Sequence, residues 1–211
     1  MSLHCSFSLT RKQFTLDVKL STSNNVIAIM GHSGAGKSSL LRCIVGLEKS
    51  TRGYCYFRDQ CWQDSSRHYF LSTHQRAVGY VSQDVHLFPH LSAKQNLEFG
   101  YKRIPTNKRI VQMDQVISWF DISHLIDRDI RKLSGGECQR IAIARSILKS
   151  PELLLMDEPF TALDKASRAI IVNGILNYHQ LTQAAIIYVT HTEDELFSEQ
   201  ERLIINAGRM T

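Results

Sequence analysis

The hydrophobic positions of this chain follow two periodicities, and each predicts a different type of element. Residues 3–7 and 14–20 alternate apolar with polar side chains, which predicts two antiparallel strands joined by a turn at residues 10–12. Residues 25–30 form a short, β-branched and mostly apolar run, which predicts a buried parallel strand. Shorter apolar runs predict further strands at residues 54–57, 77–81, 153–156, 185–189 and 202–205.

Other segments space their apolar residues as a helix does. Residues 38–46 place Leu41, Ile44 and Val45 on one face, and Gly46 is the predicted C-terminal stop. Helices are also predicted at residues 137–148, 165–179 and 192–198, and in parts of 92–128. Four apolar residues at roughly helical spacing are expected to pack in a core: Val111, Val116, Trp119 and Phe120. The polar segment 58–72 is expected to be a loop with little structure.

This order of elements predicts an α/β fold. We expect a mixed, mostly parallel sheet with antiparallel N-terminal strands and an inserted helical subdomain. The 211 residues are expected to form one domain. Its core lobe is predicted at about 1–87 and 151–211, and its helical lobe at about 88–150.

Composition narrows the class of protein. A hydrophobic content of 43% and a charged content of 21% are typical of soluble globular proteins. No apolar run is long enough to cross a bilayer, and the N-terminus shows no secretory signal. The five cysteines are an odd number without a C-x-x-C pair, which favours reduced thiols in a cytosolic protein over disulfides or zinc.

The net charge of +5 allows nucleic acid or an anionic membrane surface as a partner. The basic residues are dispersed, however, and the densest group, at residues 128–132, contains its own acid. We therefore interpret the charge as a solvated face and expect no nucleic-acid partner.

A glycine-rich loop lies between the predicted strand 25–30 and the predicted helix 38–46. It fits the pattern G-x-x-x-x-G-K-[ST] of phosphate-binding loops, whose backbone N–H groups and helix N-terminus bind an anion. Lys37 is expected to reach the β- and γ-phosphates, and the Ser38 hydroxyl to bind Mg²⁺. A glycine turn that matches by chance is the alternative, and the strand–loop–helix context argues against it. The candidate phosphate-binding residues are Gly31, His32, Ser33, Gly34, Ala35, Gly36, Lys37, Ser38 and Ser39.

Two carboxylates follow the apolar strand 153–156. Asp157 and Glu158 are therefore expected at the carboxyl edge of a parallel sheet, where such sheets bind their ligands. Asp157 is the candidate for the Mg²⁺ shell, and Glu158 for orienting and polarising an attacking water. The alternative is a solvated strand end without a chemical role.

A second glycine-rich segment, residues 133–139, opens a helix. Ser134, Gly135 and Gly136 combine a hydroxyl, bare amides and a helix N-terminus, which makes a second anion site. A helix cap, with Ser134 or a glycine capping and Glu137 in the first turn, accounts for part of this pattern. A cap alone does not account for two consecutive glycines.

Together these motifs resemble the ATP-binding subunit of ABC transporters, over nearly the whole chain. Residues 133–137 match the signature motif of that family, and Gln83 matches its Q-loop glutamine. Ala162, Leu163 and Asp164 are similar to its D-loop, and His191 is similar to its switch histidine. The resemblance implies a P-loop NTPase core with ATP and Mg²⁺ as cofactors.

The resemblance also implies roles. Two copies would pack head to tail, so that Ser134, Gly135 and Gly136 of one close over the γ-phosphate held by the other. The implied catalytic residues are Glu158, His191 and Gln83, and the implied metal ligands are Ser38, Gln83 and Asp157. Asp164 is expected to contact nucleotide, and Phe14, ahead of Phe7, to stack on adenine. Gln83 would also couple the site to a membrane subunit.

Within the family, residues 78–91 are most similar to molybdate-type importers, so we expect ATP-driven import of molybdate or a similar oxyanion. The expected partners are a second copy, membrane permease subunits and a substrate-binding protein, with this chain peripheral on the cytoplasmic face of the membrane. The sequence ends at Thr211, so the C-terminal regulatory domain of many such importers is not expected. The permease is expected to dock near Gln83 and residues 88–91.

Other ABC ATPases remain as alternatives. An exporter-type or membrane-remodelling ATPase is the main one. A DNA-repair ATPase would carry a coiled coil between the two glycine motifs, and residues 38–133 lack sustained heptads. A translation factor of this family would carry two cassettes, and this chain carries one set of motifs.

Overall fold

The structure is a computed structural model, and it describes residues 2–11, 14–161, 163–193 and 200–210. The strands are β1 (Leu3–Arg11), β2 (Phe14–Thr22), β3 (Val26–Met30), β4 (Arg52–Phe57), β5 (Gln60–Asp64), β6 (Tyr69–Phe70), β7 (Val78–Val81), β8 (Leu153–Asp157), β9 (Ala185–Thr190), β10 (Glu201–Asn206) and β11 (Arg209–Met210). The helices are α1 (Lys37–Val45), α2 (Ala93–Tyr101), α3 (Met113–Trp119), α4 (Gly135–Ile147) and α5 (Lys165–Thr182). The helix predicted at residues 192–198 falls largely outside the described residues, as does part of the turn predicted at 10–12.

The chain divides into two compact units. The first comprises Met1–Val78, Leu155–Glu158 and Ala185–Thr211, and the second comprises Gly79–Leu154 and Pro159–Ala184. The lobe boundaries expected from the sequence stay a prediction.

The sheet is mixed, which confirms the predicted α/β class. Its strand order is β6-β5-β4-β1-β2-β11-β10-β3-β9-β8-β7. β3 pairs in parallel with β9 and β10, while β1 pairs antiparallel with β2 and β4. Every residue of β8 and β9 is buried, as expected of parallel strands covered on both faces. The carboxyl ends of β3, β8 and β9 carry the residues of the candidate site.

The prediction of a structureless loop at residues 58–72 is wrong. β5 and β6 continue the antiparallel sheet there, and the Trp62 ring is fully buried, 5.1 Å from the centroid of Phe57. The polar residues misled the sequence argument because several of them are hydrogen-bonded within the folded structure, and one, Gln63, is also buried. The Gln63 amide, for example, donates to the Thr51 carbonyl at 2.8 Å.

Salt bridges join β1 to the end of α1. Arg11 and Arg42 both contact the Glu48 carboxylate at 2.7 Å. Burial alone would raise the pKa of Glu48, but the hydrogen bonds and charges of Arg42 and Arg11 outweigh burial and lower that pKa. Glu48 therefore stays ionised and secures the segment after α1.

Helices dominate the second unit. Val111, Val116 and Phe120 are fully buried and pack in the core as predicted, whereas Trp119, the fourth residue of that prediction, is only half-buried at the end of α3. The Phe120 ring lies against Gly174 of α5, where an added Cβ would come within 2.7 Å of Phe120 Cζ.

All five cysteines are free thiols. Among the described residues, no helix combines the length and the apolar character needed to cross a membrane.

Candidate functional site

The phosphate loop leaves β3 at Gly31 and enters α1 at Lys37. Gly31 has φ 152°, and a Cβ there would lie 2.2 Å from the Ile205 carbonyl oxygen of β10, so only glycine fits. Gly36 is the N-cap of α1 with φ 105° and accepts the Leu40 N–H at 2.9 Å. The loop therefore curls directly onto the positive end of the helix, as an anion site requires.

Lys37 lies inside this loop. Its side chain is 5% exposed, and its ammonium group donates to the carbonyls of Gly31 at 2.7 Å and His32 at 3.0 Å. A cation held by loop carbonyls at a helix N-terminus has the chemistry of an anion site. Phosphate oxygens would replace those carbonyls as its partners.

Ser38 and Asp157 are 119 positions apart in the sequence, and their side chains are in contact in the folded chain. The Ser38 hydroxyl donates to Asp157 Oδ1 at 2.9 Å, and Asp157 is 3% exposed at the end of β8. A hydroxyl and a carboxylate are hard oxygen donors of the kind that Mg²⁺ prefers. The described residues contain no group of three or more His, Cys, Asp and Glu that could hold a metal alone. This pair therefore suits a cation that also uses phosphate oxygens and water.

Glu158 and His191 lie at the ends of the neighbouring strands β8 and β9. Glu158 Oε1 is 3.5 Å from His191 Nδ1, and the Glu158 N–H donates to the Val189 carbonyl at 3.1 Å. Glu158 has φ 49°, a left-handed conformation that costs a non-glycine residue about 1 kcal/mol. The backbone hydrogen bond to β9 supports that turn beside the imidazole.

Thr190 is a residue that the sequence argument missed. It is fully buried, and its hydroxyl accepts the Thr192 N–H at 3.1 Å, which closes a tight turn around His191. The threonines on either side of His191 were the available signal, because Ser and Thr hydroxyls often bond the backbone two residues on.

The two candidate aromatic residues differ in position. Phe7 is fully buried and has no face left for a base. Phe14 is half-buried at the start of β2, and its Cζ lies 2.6 Å from where a Cβ of Gly36 would be. Phe14 therefore borders the phosphate loop, as expected of the adenine-stacking candidate.

In the second unit, Ser134 is the N-cap of α4. Its hydroxyl accepts the Glu137 N–H at 3.3 Å, and Glu137 Oε2 accepts the Ser134 N–H at 2.7 Å, which forms a capping box. The hydrogen bond from the Ser134 backbone is the largest cause of the lowered pKa of Glu137. The expected cap is confirmed, with Ser134 rather than a glycine as the capping residue.

The two glycines after Ser134 have different surroundings. A Cβ on Gly136 would lie 3.2 Å from Leu163 and 3.5 Å from Ser167, so close packing in the unit favours glycine there. A Cβ on Gly135 would meet nothing within 4 Å, and its φ is not positive. Neither packing nor backbone conformation explains glycine at position 135.

The remaining candidates also lie in the second unit. Asp164 is the N-cap of α5 and accepts the Ser167 N–H at 2.8 Å, the main cause of its lowered pKa. Gln83 follows β7 and is exposed. Ala162 of the predicted D-loop lies outside the described residues. The first unit thus brings together the phosphate loop, Asp157, Glu158 and His191, and the second holds the Ser134 segment, Asp164 and Gln83.

This chain was compared with models of known protein families. The family model described as "ABC transporter" matches residues 14–161. That span includes the phosphate loop, the Ser134 segment and both carboxylates after β8.

Several curated proteins are similar to this chain. Three of them are named "Molybdenum import ATP-binding protein ModC" (numbered ModC 1 in Azotobacter). The chain is 44% identical to that of Pseudomonas fluorescens over 206 residues, which is 97% of this chain and 57% of the relative. The corresponding identities are 44% for Pseudomonas aeruginosa (91% and 54% covered) and 41% for Azotobacter vinelandii (99% and 58% covered). The chain spans about half the length of these curated relatives.

Proposed function

We propose that this chain, which belongs to the ABC transporter family, is an ATP-hydrolysing subunit that powers import of molybdate or a similar oxyanion. The observation that carries the proposal is that the candidate phosphate-binding, metal-binding and catalytic residues of the first unit lie together at one edge of the sheet. The Ser38–Asp157 hydrogen bond and the Glu158–His191 contact lie at the ends of parallel strands, on the side where the phosphate loop leaves β3. That arrangement suits phosphoryl transfer from a bound nucleotide to water.

In this proposal the loop amides and the N-terminus of α1 bind the phosphates, while Lys37 moves from the loop carbonyls to the β- and γ-phosphate oxygens. Ser38 and Asp157 hold Mg²⁺, which neutralises charge on the phosphates when bound. Gln83 is proposed as a further ligand or water contact. Phe14 stacks on the adenine ring.

Glu158 is proposed to orient and polarise the attacking water. Its carboxylate is held by a strained turn whose N–H is bonded to β9, so little rearrangement is needed for the water to be positioned. His191 is proposed to contact the γ-phosphate and hold its geometry, and the Thr190 turn supports its orientation. His191 then positions the phosphate and does not abstract the proton.

A second copy is proposed as the partner that completes the site. Gly135 faces open space, which leaves room for the γ-phosphate of another protomer to approach the amides at the start of α4. Ser134 and Gly136 flank that approach, and Asp164 follows Leu163, whose side chain lies 3.2 Å from the Cβ position of Gly136. Such a head-to-tail pair would explain glycine at position 135.

Import of molybdate is proposed because the relatives named above are molybdenum import proteins. The proposed assembly contains two copies of this chain beneath permease subunits on the cytoplasmic face of the membrane, with a substrate-binding protein on the other side. The permease would dock near Gln83 and residues 88–91, where the Phe88 and Phe99 rings lie 4.3 Å apart and Phe99 is 43% exposed.

The proposal is tested by ATP titration of the purified chain, followed by phosphate release and molybdate uptake in vesicles that contain this chain together with permease subunits of a molybdate-type importer. ATP binding, ATP-dependent dimer formation and uptake that requires ATP are the expected results. Absence of ATP binding would contradict the ATPase. ATP-driven accumulation of substrate inside inverted vesicles, whose cytoplasmic face is outward, would contradict the importer alone.

A further inference from the structure

A buried arginine lies at the far end of the phosphate-loop helix. Arg76 is 4% exposed, and its guanidinium donates to the carbonyl of Ile44 in the last turn of α1. It also donates to the carbonyls of Leu71 at 3.0 Å and Trp62 at 3.1 Å. The group therefore ties the C-terminus of α1 to β5 and to the segment after β6.

No carboxylate pairs with Arg76 among the described residues. Its charge is balanced by carbonyl dipoles and by the aromatic faces of Phe70 and Trp62, 5.0 and 5.5 Å from the guanidinium carbon. Burial lowers the pKa of Arg76 from its ordinary value, yet arginine remains charged. A buried cation without an anion is costly, which indicates that this position has a specific use.

Gly46 makes room for the guanidinium. This C-cap residue has φ 87°, and an added Cβ would lie 2.6 Å from the guanidinium carbon of Arg76. The Thr73 hydroxyl donates to the Gly46 carbonyl at 3.0 Å. The end of α1 is thus held from two sides by the short segment that precedes β7.

We propose that Arg76 is a positioning residue for nucleotide binding: it fixes the phosphate-loop helix and neutralises the negative end of its dipole, so that Lys37 and the loop amides face the phosphates with their full positive potential. This inference rests on the proposed function, ATP binding, and assigns Arg76 a role in it. Arg76 contacts the end of α1 and lies two residues before β7, the strand that Gln83 follows.

The physical argument has two parts. α1 has nine residues and is therefore about 13 Å long, so a rigid helix transmits a shift at its C-terminus to Lys37. The C-terminal partial charge of about −0.5 opposes anion binding at the N-terminus, and a guanidinium at that end cancels it. A unit charge about 15 Å from the phosphates changes ATP affinity about fivefold at an effective dielectric of about 20.

The chain offers a matched control. Arg140 is also a buried arginine at a helix C-terminus, and it donates to the carbonyls of Phe120 at 3.2 Å and Asp121 at 3.0 Å, just after α3. α3 carries no candidate site residue, and α4, the helix that carries Arg140, is proposed to contact only the nucleotide of a second copy and therefore has no part in binding by the monomer. Arg140→Met therefore removes a comparable helix cap without touching the phosphate-loop helix.

The experiment measures ATP and Mg²⁺ titration of the monomer by calorimetry, at a temperature where circular dichroism shows each variant folded. Arg76→Met is expected to lose about fivefold or more in affinity. Arg76→Lys should lose about twofold, because one ammonium keeps the charge but cannot serve three separate carbonyls. Gly46→Ala, which keeps Arg76 but displaces it, should also lose affinity. Arg140→Met should bind ATP as the wild type does, although its melting temperature falls.

Two results would overturn the inference: wild-type affinity in folded Arg76→Met, or an equal loss of affinity in Arg140→Met. If Arg76→Met does not fold, Arg76→Lys and Gly46→Ala decide, and wild-type affinity in both overturns it. A wild-type protein that binds no ATP would contradict the proposed function instead, which keeps the two failures apart.

Discussion

Glu158→Gln separates the chemical role of this residue from a structural one. Glutamine has nearly the same size and keeps an oxygen toward His191, but it cannot accept a proton. The N–H that donates to the Val189 carbonyl belongs to the backbone and is unchanged. The substitution therefore removes the base and little else.

Loss of Glu158 is expected to affect the stability of the fold and the rate of hydrolysis to very different extents. The contact between Glu158 Oε1 and His191 Nδ1 measures 3.5 Å, and the imidazole is 45% exposed, so the contact stabilises the fold by at most about 1 kcal/mol. Loss of a general base costs about 10²–10⁴ in rate, or about 3–5 kcal/mol of activation free energy. Turnover should therefore collapse while the melting temperature and the ATP affinity change little.

The assay is phosphate release by the complex with its permease, alongside ATP titration and thermal melting of the free chain. The variant is expected to bind ATP and to accumulate as a closed dimer. Glu152→Gln is the matched control, because Glu152 precedes the same strand at its opposite end and should keep normal turnover. A Glu158→Gln rate within threefold of the wild type would refute the assigned role.

Three further predictions follow from single contacts. Lys37→Ala, which removes the cation bonded to the loop carbonyls, should lower ATP affinity about 30- to 1,000-fold by calorimetry; wild-type affinity would refute the phosphate site. Ser134→Arg should abolish the ATP-dependent dimer seen by light scattering yet leave monomer binding of ATP intact, and a dimer formed equally well by this variant would contradict the head-to-tail arrangement. Because the folded-state pKa of Glu48 is lowered, its stabilisation is present above its unfolded-state pKa and lost as the pH falls through its folded-state pKa. We therefore expect Glu48→Gln to be less stable than the wild type at pH 7 and to lose less stability on acidification. If the difference in free energy of unfolding between variant and wild type is the same at pH 7 and at an acidic pH, denaturation curves will contradict this prediction.

The sequence by itself determined the local elements and the motifs. β3, the glycine loop and α1 follow from a buried apolar run, a special backbone conformation and a helical apolar face, all contained in about twenty consecutive residues. The start of α4 at Ser134 follows from capping chemistry within four residues. These features were predictable because short-range geometry and steric constraints decide them.

Only the tertiary structure decided which distant residues meet. The Ser38–Asp157 hydrogen bond, the Glu158–His191 contact and the burial of Phe7 but not Phe14 depend on strand order and packing. β5 and β6 escaped prediction because their polar side chains find partners distant in sequence, as the Gln63 amide N–H does at the Thr51 carbonyl and the Asp64 carboxylate at the Tyr56 hydroxyl. Arg76 gave no sequence signal at all, since its role arises from three carbonyls on separate segments that only the fold brings within reach of one guanidinium. Local patterns record the preference of each segment, whereas such long-range contacts depend on how the whole chain closes around its core.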